Sequence, residues 1–147
     1  MGITERKLRQ KEEVKAAILF ASWEVVEKEG WQALSIRKIA EAIEYSVPVI
    51  YDHFENKEAI MLEFNKRGFQ LLNAQLKKAK EKFVNAEGQI EAMAYAYWKF
   101  AFKHKEYYQL MYGLGMPTCE TVRQISELAI FTELIITIHT RNNYGCM

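Results

Sequence analysis

The chain has 147 residues, a formal net charge of +1, 50% hydrophobic and 13% aromatic residues, seven glycines and two prolines. A chain this long buries roughly 70% of the surface its unfolded state exposes, which needs no disulfide staple and excludes a disordered tract. The near-zero net charge gives no bulk sign of a nucleic-acid partner, and so few breakers argue against an all-β fold.

Helical periodicity runs through almost the whole sequence. Arg6, Lys7, Arg9 and Lys11 against Glu5 give a net +3 over the first eleven residues. This basic arm reads equally as a phosphate-neutralising segment and as a solvated tail. Val14, Ile18, Ala21 and Val25 then mark an amphipathic helix over about residues 10–28. It is expected to stop at Gly30 in a left-handed cap. Ser35 caps a short second helix with the stripe Ile36, Ile39, Ala40 and Ile43. Ser46 caps a third with the stripe Val47, Ile50, Tyr51 and Phe54, and Pro48 sits in its first turn, where a missing donor costs nothing. Asn56 caps a long fourth helix with an apolar face at Met61, Phe64, Leu72, Leu76, Ala79 and Phe83. Asn85 to Gly88 is a break. A fifth, aromatic helix follows over about 89–104, a sixth over Glu106 to Tyr112, and a loop over Gly113 to Pro117. A seventh, very apolar helix is expected over about 119–139, ahead of a polar tail. The expected class is all-α.

Two short capped helices with matching stripes, joined by a tight turn, must pack on a third helix. That is the helix-turn-helix arrangement, whose second helix enters the DNA major groove. Spacing alone does not separate it from any small three-helix bundle.

The residues do more. The stretch LSIRKIAEAIEYSVPVIYDHFENKEAIM resembles the signature of the tetracycline-repressor (TetR) family, a Ser/Thr-x-x-x-Ile-Ala segment leading to Tyr-x-His-Phe-x-x-Lys-Glu. Here those positions are Ser35, Ile39 and Ala40, then Tyr51, His53, Phe54, Lys57 and Glu58. The resemblance covers about residues 10–62. It implies an N-terminal three-helix DNA-binding domain over 1–56 and a helical effector-binding and dimerisation domain over 57–147, shorter than the family usually has. It further implies that Ser35 and Arg37 hold a phosphate at the start of the second helix, where the plain alternative for Ser35 is an N-cap. Ser46, Val47, Pro48 and Val49 then face base edges or the groove wall. Val49 stands where many members have a hydroxyl, which favours apolar contact with a thymine methyl. Tyr51 reaches a phosphate, as does Lys57, whose charge at a helix start costs ~0.3–1 kcal/mol without an anion nearby. His53 is expected on the exposed side of the third helix, touching the DNA backbone. The implied function is a sequence-specific transcriptional regulator, a repressor released by a small hydrophobic or amphipathic effector. The alternative is a helical ligand- or protein-binding scaffold without DNA-binding activity.

In the second half, YAYWKFAFKHKEYYQLMYG resembles one group of TetR ligand-binding domains, with Lys105 where those often have Pro. Trp98, Phe102 and Met111 are the candidate effector contacts, because ligand pockets are largely apolar. Core packing accounts equally well for aromatics at helical spacing. His53, His104 and His139 lie on separate elements, and Cys119 and Cys146 lack metal-ligand spacing. No catalytic residue, metal or cofactor is therefore expected. The longest nearly apolar run, Leu128 to Ile138, contains Glu133 and falls far short of the ~20 residues of a membrane span. With no signal-peptide core either, a cytoplasmic protein is expected. Residues 119–139, apolar around their circumference, are the expected homodimer surface for reading two half-sites of double-stranded operator DNA. Whether the short C-terminus is natural, frameshifted or cut stays open.

Overall fold

The computed structural model describes residues 2–112. Among them are six α-helices and one 3-10 turn, with no strand: α1 Ile3–Glu29, the 3-10 turn Trp31–Ala33, α2 Ile36–Ala42, α3 Val47–Tyr51, α4 Lys57–Lys80, α5 Ala86–Lys103 and α6 Lys105–Tyr112. None of these is long and apolar enough to cross a membrane. The chain forms two compact units, Met1–Glu63 and the residues from Phe64 on, so the division falls inside α4. The loop, seventh helix, tail and dimer surface expected beyond Tyr112 lie outside the described residues.

In the first unit, α1 starts at Ile3, about two turns earlier than the sequence pattern suggests. No glycine or proline interrupts residues 3–29. The backbone N–H of Gly2 donates to the Glu5 carboxylate at 2.9 Å, and Glu5 sits in the first turn where the helix dipole favours an anion. The basic arm is therefore helical, although fully exposed. Ile18, Leu19, Ala21, Ser22 and Val26 are buried, and the Ser22 hydroxyl donates to the Ile18 carbonyl at 2.7 Å.

Gly30 ends α1 at φ 85, ψ 169. This is not the left-handed helical cap expected from sequence. Its positive φ with extended ψ is a region essentially reserved for glycine. The chain leaves it into Trp31–Ala33, where buried Trp31 meets Trp23 edge-on at 6.2 Å. Ser35 caps α2 as expected, accepting from the Lys38 N–H at 3.2 Å. The turn into α3 places Glu44 at φ 57, with no glycine or asparagine there to signal it in the sequence. α1 packs on α2, and α2 on α3.

α3 departs from its expected stripe. Ile50 and Phe54 are buried, but Val47 and Tyr51 are 36% and 52% exposed. Ser46 occupies the N-cap position without a side-chain cap hydrogen bond; its carbonyl accepts from Val49 instead. Asn56 does cap α4, its Oδ1 accepting from the Ala59 N–H at 2.8 Å.

In the second unit, α4 buries Phe64, Phe69, Leu72 and Leu76. Phe83 lies beyond the end of α4 and is half exposed, so it is no part of that face. It belongs to the connection. The Gln89 amide donates to the Phe83 carbonyl at 2.8 Å, and Gly88 packs against the Phe83 ring. α5 consequently begins at Ala86, before the expected break has ended, and α6 packs back on α5.

Candidate nucleic-acid interface

The three helices of the first unit present α3 by its N-terminal end. Tyr45, Ser46, Val47 and Pro48 are all exposed, and Val49 is half-buried. Ile50, with no exposed surface, anchors the helix, and Phe54 follows just past its end. Tyr51 lies one turn on from Val47 on the same exposed side. The helix thus offers small side chains around a lightly covered backbone, with one phenol hydroxyl beside them.

At the start of α2, Ser35 is half-buried and engaged as a cap. Arg37 is exposed and pairs with Glu41 through Nε at 3.0 Å. An exposed i,i+4 pair of this kind is worth only ~0.3–0.5 kcal/mol, so a stronger anion can take the guanidinium from it. Lys38 pairs with Glu29, tying α2 to the end of α1. Lys57 is the first residue of α4 and half-buried.

His53, expected on the exposed side of α3, is half-buried. α3 ends at Tyr51, and the N–H groups of His53 and Phe54 both donate to the Ile50 carbonyl at 3.0 Å. The ring is half-buried, and its Nδ1 is buried without a hydrogen-bond partner. One contact escapes sequence reasoning: the Lys15 ammonium lies 5.8 Å from the centroid of the Phe54 ring. Only the helical spacing of Lys15 from Lys11 and Lys7 hints at it in the sequence.

Residues 18–70 match the N-terminal domain model of bacterial regulatory proteins of the tetR family. This stretch carries the N-terminal domain of the TetR family. Several solved structures resemble it. A Rhodococcus sp. RHA1 protein of unknown function is 27% identical with a TM-score of 0.74, over 88% of this chain and 68% of that one. A tetR-family regulatory protein from Rhodococcus RHA1 is 22% identical with a TM-score of 0.65, over 87% and 70%. The TetR-family regulator PfmR from Thermus thermophilus is 22% identical with a TM-score of 0.63, over 84% and 69%. At such identities the last two likenesses speak for the fold alone. No curated protein matches the chain.

The second unit does not gather Trp98, Phe102 and Met111. Trp98 and Phe102 stack with ring centroids 4.9 Å apart but are 63% and 68% exposed on α5. Met111 is buried on α6, against Gly68 of α4. A cavity among the described residues lies elsewhere, along α4 and α5, with a volume of about 710 Å³. Phe83, Ala92 and Tyr95 supply apolar surface, and Lys78, Lys82 and Lys99 supply charge. Tyr97, Tyr108 and Tyr112 form a separate ring cluster with centroids 5.0–6.3 Å apart. Burial and the hydrogen bond to Tyr108 push the Tyr97 hydroxyl's pKa up, and burial does the same for Tyr112.

Proposed function

We propose that this chain is a sequence-specific DNA-binding repressor that reads operator DNA with α3 and is released by a small hydrophobic or amphipathic effector. The observation that carries this is the exposed N-terminal end of α3, with Ser46, Val47 and Pro48 presented outward while Ile50 holds the helix from beneath. Small side chains let a helix sit deep in the major groove, which is wide enough to admit one. Val47, Pro48 and Val49 make apolar contact with base edges or the groove wall. Tyr51, Lys57 and the Ser35–Arg37 corner of α2 take phosphates that fix its register. For Lys57 a phosphate also offsets the ~0.3–1 kcal/mol cost of a cation in a helix's first turn. Two half-sites call for a homodimer, which we assign on sequence alone to the apolar run within 119–139. The cavity along α4 and α5 supports effector release, since its volume of about 710 Å³ is that of a small-molecule site.

The test is a gel-shift titration with duplexes taken from the DNA flanking the gene. Lys57→Ala is expected to weaken binding to every sequence alike and to lower the salt slope by about one unit. Val49→Ser is expected to change sequence preference and leave the salt slope alone. Unchanged affinity and slope in Lys57→Ala would remove Lys57 from the interface. No binding by the unmodified chain at any salt would favour a scaffold without DNA-binding activity.

A further inference from the structure

The inward stripe of α1 changes chemistry along the helix. In its second half the stripe is Ile18, Ser22 and Val26, all buried in the unit that α1 forms with α2. Continued toward the N-terminus at helical spacing, the same stripe becomes Lys15, Lys11 and Lys7. At about 3.6 residues per turn, Glu13 falls on the far side, where it pairs with Arg9 at 3.5 Å, while Glu5 and Glu12 lie on the flank. Lys7 and Lys11 have no ion pair among the described residues.

Position gives this stripe its meaning. Lys15 sits over the Phe54 ring, so at that point the stripe faces the chain just past α3, between Tyr51 and Lys57. Beyond it, every residue from Ile3 to Glu13 is exposed, an overhang of roughly 16 Å at ~1.5 Å per residue. Had the overhang covered protein, its inward side would be apolar. It carries Lys7 and Lys11 instead, with Leu8 exposed beside them, and is continuous with the face assigned to DNA.

We propose that the overhang of α1 lies along the phosphate backbone of double-stranded DNA beside the half-site, held by Lys7 and Lys11. The inference rests on the helix-turn-helix reading above. It makes the footprint longer than α2 and α3 alone reach. Rows of lysine on a helix face contact phosphates without reading bases, so the gain is in affinity and salt dependence, not in sequence preference.

The test is fluorescence anisotropy with the full chain and a random-sequence 30-base-pair duplex, titrated across salt. Each phosphate neutralised on B-DNA contributes about 0.9 to the slope of log K against log salt. Lys7→Ala/Lys11→Ala is expected to lower that slope by about 1.8. Arg9→Ala, on the outer side and paired to Glu13, is expected to leave it unchanged. Alanine is the strongest helix former, so the double variant keeps its helix, which circular dichroism verifies. If Lys57→Ala lowers the slope while Lys7→Ala/Lys11→Ala does not, the overhang inference is overturned and the helix-turn-helix reading stands. An equal drop in Arg9→Ala would reduce the effect to bulk charge and overturn it too. Absence of DNA binding by the unmodified chain overturns both.

Discussion

α3 and α5 each turn apolar surface to solvent, but with opposite contents. α3 has five residues and buries Ile50 alone. What it exposes at its N-terminal end is small, so a partner can approach its backbone there, with Tyr51 one turn on. α5 has eighteen residues and buries Gln89, Met93 and Phe100. What it exposes is large: Ile90, Tyr95, Trp98 and Phe102. A short helix cannot hold itself together by propensity and owes its place to its neighbours. Its exposed residues are therefore free to be chosen for a partner. A long helix anchored along one side tolerates large exposed residues at little cost, since scattered surface hydrophobics are ordinary. Exposure alone does not mark a site; exposure on an element that contributes little core does.

The largest effects separate anchor from surface on both helices. Phe100→Ala is expected to cost about 3–5 kcal/mol, because Phe100 has no exposed surface and its loss leaves a cavity. Trp98→Ala, two residues earlier, is expected to stay within about 0.5 kcal/mol. Chemical denaturation of the two variants reads both values. A cost above about 2 kcal/mol for Trp98→Ala would mean that the exposed side of α5 is in fact covered, and the contrast with α3 would weaken.

That contrast is only half legible in the sequence. The α3 region is readable because its signature residues, Tyr51 through Glu58, lie within one short stretch and its caps are local. Even there, periodicity assigns Val47 and Tyr51 inward. A five-residue helix holds little more than one turn, and periodicity over one turn cannot tell inside from outside. The apolar stripe also suggests a helix running through Phe54, whereas α3 ends at Tyr51 and the His53 and Phe54 N–H groups share the Ile50 carbonyl. In the second unit, apolarity picks out Trp98, Phe102 and Met111, and apolarity does not say which side of α5 meets α6. The informative residue is Gly68. A glycine inside α4 costs helix stability, and it is there because α6 comes close.

Gly68 supplies the next prediction. A Cβ at Gly68 would meet the Met111 sulfur at 2.7 Å and the Tyr107 ring at 3.1 Å. Gly68→Val adds a branched side chain into that contact and is expected to cost about 1–3 kcal/mol, although a helix interior otherwise prefers valine to glycine. Thermal melts decide it. A stabilised Gly68→Val variant would show that α6 is free to move away, making the second unit as lightly held as α3.

The smallest expected effect concerns the histidine that ends α5. His104 occupies the C-cap position, with its Nε2 3.3 Å from the Gln75 amide nitrogen of α4. That amide has protons to give, so the contact is a hydrogen bond only while the imidazole nitrogen is neutral and accepts one. A helix C-terminus would ordinarily favour the protonated ring. Here burial, with Lys103 next to it, wins and holds the His104 pKa below its usual value, against a weaker opposing pull from Glu106. The unfolded chain takes up the proton near pH ~6.5, before the folded one does. The stabilisation from neutral His104 is therefore complete above that pH and is lost as the pH falls through the range below it. Melting temperatures on either side of that range, at about pH 7.5 and about pH 5.5, test the sign: His104→Gln is expected to lose less stability between the two than the unmodified chain. An equal or larger loss in the variant would show that the α5 terminus is already loose and that His104 closes nothing.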